Sequence, residues 1–176
     1  MRKDHLNIYG YQRDTSSAIS ELAKDSVVFD NAFTVATNSA PSHATMLTGL
    51  YPNQHGLIDN GNAIHPSIPT LAGILKEQGY DTAGFVGYHA LNEESGLDKG
   101  FQNFEFIPIA SHDHDEKDPE DDFKGFEAVK NWLSSKVQEE KKAPFFVWMH
   151  VQNIHGSYDP PLPTTPYLGK FRRLSI

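Results

Sequence analysis

"APFFVWMHV", residues 143–151, is the stretch on which the fold turns. It is a nearly continuous apolar run, bounded at its start by Pro144. So short a run reads as a strand buried on both faces, since a helix needs more length. Strands covered on both faces belong to parallel sheets flanked by helices.

The segments on either side agree. Residues 121–142, "DDFKGFEAVKNWLSSKVQEEKK", carry Phe123, Phe126, Val129, Trp132, Leu133 and Val137 at helical spacing. "DTAGFVGY" (81–88) is a second short strand. "IPTLAGILKEQG" (68–79) reads as a helix, with Thr70 near its start and Gly79 just past its end. Residues 88–122 are mostly irregular, and 50–67 form a long loop punctuated by "YPN", "HG", "DNGN" and "HPS". Upstream, a helix is expected at about 15–24, with Ser16 or Ser17 as its cap, and a strand in "VVFDNAFTVA", 27–36. A further helix covers 41–48. Helix and strand alternate, which predicts an α/β protein: a three-layer α/β/α sandwich around a mostly parallel sheet.

Composition narrows the function. The 176 residues are 38% hydrophobic, which is enough for a core. The net charge of −8 argues against a nucleic-acid partner bound through a basic surface. Much of the acid sits in "HDHDEKDPEDD" (112–122), read as a solvated loop. There is no cysteine, so disulfides, thiolate catalysis and Cys-based zinc sites are excluded. No stretch approaches the length of a membrane span, and the charged N-terminus shows no signal peptide.

Ligands of an open α/β sheet sit at the carboxyl ends of its strands. Three segments are expected there: the loop with Ser39, "GYHAL" with His89, and "HVQNIHGSYDPP" with His155. In "TNSAPSHATMLTG" (37–49), Pro41 suits a first helical turn. The N–H groups of Ser42, His43 and Ala44 would then face Ser39, at the anion-attracting end of the helix. A serine there can attack an anionic ester if a base or metal activates it, and His43 is one turn away. The alternative is that Ser39 and Ser42 only cap the helix. His55 in "YPNQHG" reads as a loop residue that could hold its turn through backbone hydrogen bonds.

Taken in order, four blocks resemble the sulfatase family of the alkaline phosphatase superfamily. They are "DHLNIYGYQRDTSSAISELAKDSVVFDNAF", "SAPSHATMLTGLYPNQHG", "LAGILKEQGYDTAGFVGYH" and "PFFVWMHVQNIHGSYDPP". The second is similar to the family signature C/S-x-P-S-R-x-x-x-x-T-G followed by Y-P-x-x-H-G. The resemblance implies an alkaline-phosphatase-like sandwich and metal-assisted hydrolysis of sulfate esters. It places Ser39 at the nucleophile, which this family oxidises to formylglycine and which also ligates a divalent metal. That metal is usually Ca²⁺, with Mg²⁺, Mn²⁺ and Zn²⁺ as alternatives. It puts His155 at the histidine that contacts the sulfate or protonates the leaving group, and His89 at the substrate-contacting histidine of the third block. His43 joins the catalytic set.

Two departures sharpen the expectation. The family's arginine after the nucleophile is His43 here, and the lysine of the third block is Gly87. Related members use an unmodified serine or threonine on phosphate esters, so a phosphate-ester hydrolase or phosphotransferase is the second reading and a non-catalytic member the third. The family's remaining metal ligands fall outside these 176 residues. Residues 1–176 are therefore expected to be a partial catalytic domain with an incomplete sheet. The expected partner is a small-molecule or polymeric sulfate or phosphate ester.

Overall fold

The computed structural model describes residues 2–107, 123–139 and 142–151. The chain separates into two compact units, residues 1–34 and 35–176.

In the first unit, two short 3-10 turns (Lys3–His5 and Asn7–Tyr9) precede helix α1, Ser17–Ala23. Asn7 organises the loop between them. Its Nδ2 donates to the carbonyls of Tyr11 and Arg13, and its Oδ1 accepts from the Thr15 and Ser16 amides. Ser16 sits at the N-cap of α1 as expected, but its hydroxyl donates to Asn7 Oδ1 and does not cap the helix. The strand expected at 27–36 does not form. Val27, Phe29 and Phe33 are 81%, 67% and 89% exposed. β-propensity is expressed only where a neighbouring strand and a covered face are present, and among the described residues this segment has neither.

The second unit holds helices α2 (Ser39–Thr48), α3 (Pro52–His55, a single turn), α4 (Leu71–Glu77) and α5 (Lys124–Gln138). It also holds strands β1 (Asp81–Val86), β2 (Asn103–Phe106) and β3 (Phe145–His150). The strands run β2-β1-β3, with both pairings parallel. The expected parallel sheet is therefore present. β2 is an addition, in a region read as irregular, because its four residues give too short a pattern to stand out. The order also corrects which strand is most deeply buried. β1, in the middle, is buried along nearly its whole length, whereas β3 is half-buried and its Phe145 is exposed.

Strand alternation sends successive side chains to opposite faces. Gly84 of β1 pairs with Phe104 and Trp148, and Thr82 pairs with Phe146. Phe101 stacks on Phe146 and on Trp148 over this face, with ring centroids 5.8 and 5.9 Å apart. Gly84 is what admits the rings, since a Cβ there would lie 2.7 Å from Phe104 Cδ2. The core continues from Val86 into Ala40, Ala44 and Leu47 of α2, then Leu57, Leu91 and Leu97. Full burial of each such leucine stabilises by about 1.5–3 kcal/mol. On the opposite face α5 crosses the sheet: Trp132 meets Phe145 edge-on at 6.0 Å, and Lys136 Nζ lies 3.2 Å from Asp81 Oδ2. Helices thus cover both faces of the sheet.

Local signals set α4 as the sequence predicts. Thr70 Oγ1 accepts from the Gly73 amide at 3.1 Å, and Gly79 follows the helix at φ 84°.

Candidate active site

The carboxyl ends of β1 and β3 point toward the start of α2, which makes this rim the candidate site. Ser39 is the first residue of α2, with Asn38 at the N-cap. The helix starts two residues earlier than its sequence suggests, and that changes the donors on offer. The Ser42 amide already bonds Asn38 O at 3.3 Å, inside the helical ladder. Pro41 has no N–H. The Ala40 amide donates to Asn60 Oδ1 at 2.9 Å. The expected cradle of three amides at residues 42–44 is thus absorbed by the helix. Among the described residues, the Ser39 amide is the first-turn donor left, beside a half-buried Ser39 side chain. The positive end of the helix dipole adds to its attraction for an anion.

His43 lies one turn on. Its Nδ1 is 2.8 Å from Ser39 O. A carbonyl only accepts, so Nδ1 carries the proton and Nε2 keeps a lone pair. Burial holds the pKa of His43 below its ordinary 6.5, partly opposed by that bond to Ser39. The ring is therefore a neutral acceptor near neutral pH and not a cation.

Beside it, an aromatic wall runs along the sheet edge. The His43 ring is 5.1 Å from His150 and 5.8 Å from Trp148. Tyr88 follows at 6.4 Å from His150, and His89 sits edge-on to Tyr88 at 4.5 Å. Ser39, His43 and His89 thus share one rim of the sheet, while His155 lies outside the described residues.

Sequence reasoning missed His150, Trp148 and Tyr88. The period-two alternation of Phe146, Trp148 and His150 was the available signal, hidden by the apolar run around it. It also missed Asn60. "DNG" is indeed a turn, but its amide side chain reaches a residue twenty positions back, and no local pattern announces that.

His55 resolves to a structural role. It is fully buried, its Nδ1 accepts the Leu57 amide at 3.1 Å, and Nε2 meets Thr45 Oγ1 at 3.2 Å. Among the described residues, no group of three His, Cys, Asp or Glu side chains could hold a metal ion. By themselves the described residues do not make up a metal centre. Among the described residues, no helix is long and apolar enough to cross a membrane.

Known proteins resemble this chain in sequence and fold. An N-acetylglucosamine-6-O-sulfatase of Bacteroides thetaiotaomicron is 26% identical over 97% of this chain and 32% of its own length. An N-acetylgalactosamine-6-O-sulfatase of the same organism is 37% identical over 53% of this chain and 19% of its own. The phosphonate monoester hydrolase of Agrobacterium radiobacter superposes with a TM-score of 0.73 at 21% identity, covering 94% of this chain and 41% of that one. The shared fold is the alkaline-phosphatase-like α/β sandwich. The chain spans about a third or less of the length of these curated relatives. The sulfatase family model matches residues 1–173, and with that match across nearly its whole length the chain belongs to the sulfatase family.

Proposed function

We propose that residues 1–176 are part of one catalytic domain and supply the nucleophile wall of a sulfate-ester hydrolase. The observation that carries this reading is Ser39 at the first position of α2, beside a neutral His43, on the rim where β1 and β3 end. The helix N-terminus attracts the sulfate. Ser39, as the serine oxygen or as the hydrate of a derived aldehyde, bonds to sulfur. The bond from sulfur to the alcohol oxygen breaks, and that oxygen takes a proton, a role proposed for His155. The sulfated intermediate then releases sulfate, either by collapse of the hydrate to the aldehyde, which water rehydrates, or, for a serine oxygen, by attack of water on sulfur. His43 Nε2 is suited to accept the nucleophile's proton, and His89 to contact the anion. A divalent cation at Ser39, with Ca²⁺ ahead of Mg²⁺, Mn²⁺ and Zn²⁺, belongs to the same reading, with its other ligands outside the described residues. The two sulfatase relatives are named for 6-O-sulfated N-acetylhexosamines, so a sulfated amino sugar is the substrate class proposed.

The test is made on the full-length protein from its native host. Turnover of an aryl sulfate and of a 6-O-sulfated N-acetylhexosamine is expected to exceed that of an aryl phosphate. Ser39→Ala should reduce it by about 10³-fold or more. The mass of the Ser39 peptide separates the two nucleophiles, since the aldehyde lacks two hydrogens. Phosphate turnover with an unmodified Ser39 would move the assignment to a phosphate-ester hydrolase.

A further inference from the structure

The start of α2 is held from outside the helix. Asn38, at the N-cap, makes no capping bond with its side chain. Its Nδ2 donates instead to Asp59 Oδ1 at 2.5 Å. Asp59 Oδ1 also accepts the Asn60 amide at 2.7 Å, which fixes Asn60 relative to it. Asn60 Oδ1 then accepts the Ala40 amide at 2.9 Å. The loop is closed on itself, because the Asp59 amide donates to Asn62 Oδ1 at 3.1 Å and the Asn62 amide to Asp59 O at 3.2 Å. Asn60 Nδ2 makes a long contact, 3.5 Å, with the hydroxyl of Tyr88, two residues past the end of β1. The residues immediately before and after Ser39 are therefore each tied to the same two-residue segment.

We propose that Asp59 and Asn60 are positioning residues for Ser39, a clamp that sets its backbone and leaves its amide as the donor facing the substrate. The proposal rests on the reading of Ser39 as nucleophile. First helical turns fray unless their orphan amides are satisfied. Here Pro41 removes one amide and the N-cap side chain is engaged elsewhere, so Asn60 does the capping from across the loop. Without it the Ala40 amide is loose, and the Ser39 oxygen is free to move on the scale of an ångström. A displacement of that size costs about 10²-fold in rate. The clamp touches no reacting atom, so it acts through Ser39 alone.

The experiment uses the full-length protein and an aryl sulfate. Ser39→Ala, Asn60→Ala, Asn60→Asp and Asn60→Ser are compared for kcat, KM and amide exchange at Ala40. Asn60→Ala should lower kcat by about 10- to 100-fold with KM within about 2-fold, and should speed Ala40 exchange. Asn60→Asp keeps an oxygen for the Ala40 amide. It should restore kcat to within a few-fold while raising KM, because its new charge repels an anionic ester. A merely structural residue would not show this split or this rescue. Asn60→Ser, with a shorter acceptor, should be intermediate, and it stands in if Asn60→Ala does not fold. Wild-type kcat in Asn60→Ala, or equal losses in the Ala and Asp variants, overturns the clamp. Wild-type turnover in Ser39→Ala overturns the nucleophile reading instead. In that case Ala40 exchange decides the clamp: it stands if exchange is faster in Asn60→Ala and falls if it is unchanged.

Discussion

Replacing His55 with alanine should be among the most damaging single changes in the α2 neighbourhood, and the structure says by how much. The side chain is fully buried. Its Nδ1 accepts the amide of Leu57, itself fully buried, at 3.1 Å. Leaving that amide unpaired costs about 1–3 kcal/mol. Loss of the bond to Thr45 Oγ1 adds less, because Thr45 is half-buried and can turn to water. Removing the ring opens a space among packed neighbours, worth about 2 kcal/mol after partial collapse. The sum is about 4 kcal/mol. His55→Asn keeps an oxygen near the Nδ1 position and should recover about 1–2 kcal/mol of it. Urea unfolding of the full-length protein, read as a shift in midpoint at constant m-value, measures both. A loss under about 1 kcal/mol for His55→Ala, or no recovery in His55→Asn, would refute the reasoning. The pH dependence supplies a second check. Burial lowers the pKa of His55 below its ordinary 6.5. Below pH 6.5 the unfolded chain binds a proton that the folded chain refuses, so stability present above that pH declines as pH falls. His55→Asn should lose that portion of the decline.

Two further outcomes follow from the same geometry. Gly100→Ala should be disruptive, because Gly100 sits at φ 93° and a Cβ would lie 2.5 Å from Gly73 Cα and 2.8 Å from Ala72 C. Strain and backbone overlap together cost about 3 kcal/mol or more; a thermal midpoint within a degree or two of wild type would contradict this. Burial holds His43 below its ordinary 6.5 in the ligand-free protein, so kcat/KM of the full-length protein should fall on an acid limb whose midpoint lies below that value. His43→Gln should remove the limb, and an unchanged profile would rule out His43 as the acceptor.

The family blocks and the local punctuation were legible in the sequence alone. Thr70 and Gly79 bound α4 because caps act within a few residues, and the spacing of Phe126, Val129, Trp132 and Leu133 shows α5 because a helix repeats within one turn. The apolar runs of β1 and β3 declared a parallel sheet, and Ser39, His43 and His89 were legible as neighbours of its edge.

Tertiary structure decided what depends on distant partners. The 27–36 segment has the composition of a strand and no strand to pair with among the described residues, whereas the brief β2 finds one in β1. His55 read as a loop residue able to hold its turn through backbone hydrogen bonds, and it does hold the Leu57 amide, but its full burial against Thr45 of α2 is a tertiary contact. Ser39 looked as if it lay ahead of a helix with three amides to offer. Folding places it inside the helix, with Asn60 taking the Ala40 amide from across a loop. Caps and turns are written within a few residues of where they act. Strand pairing, burial and a cap lent by another loop are contacts between residues far apart in the chain, and only the fold specifies them.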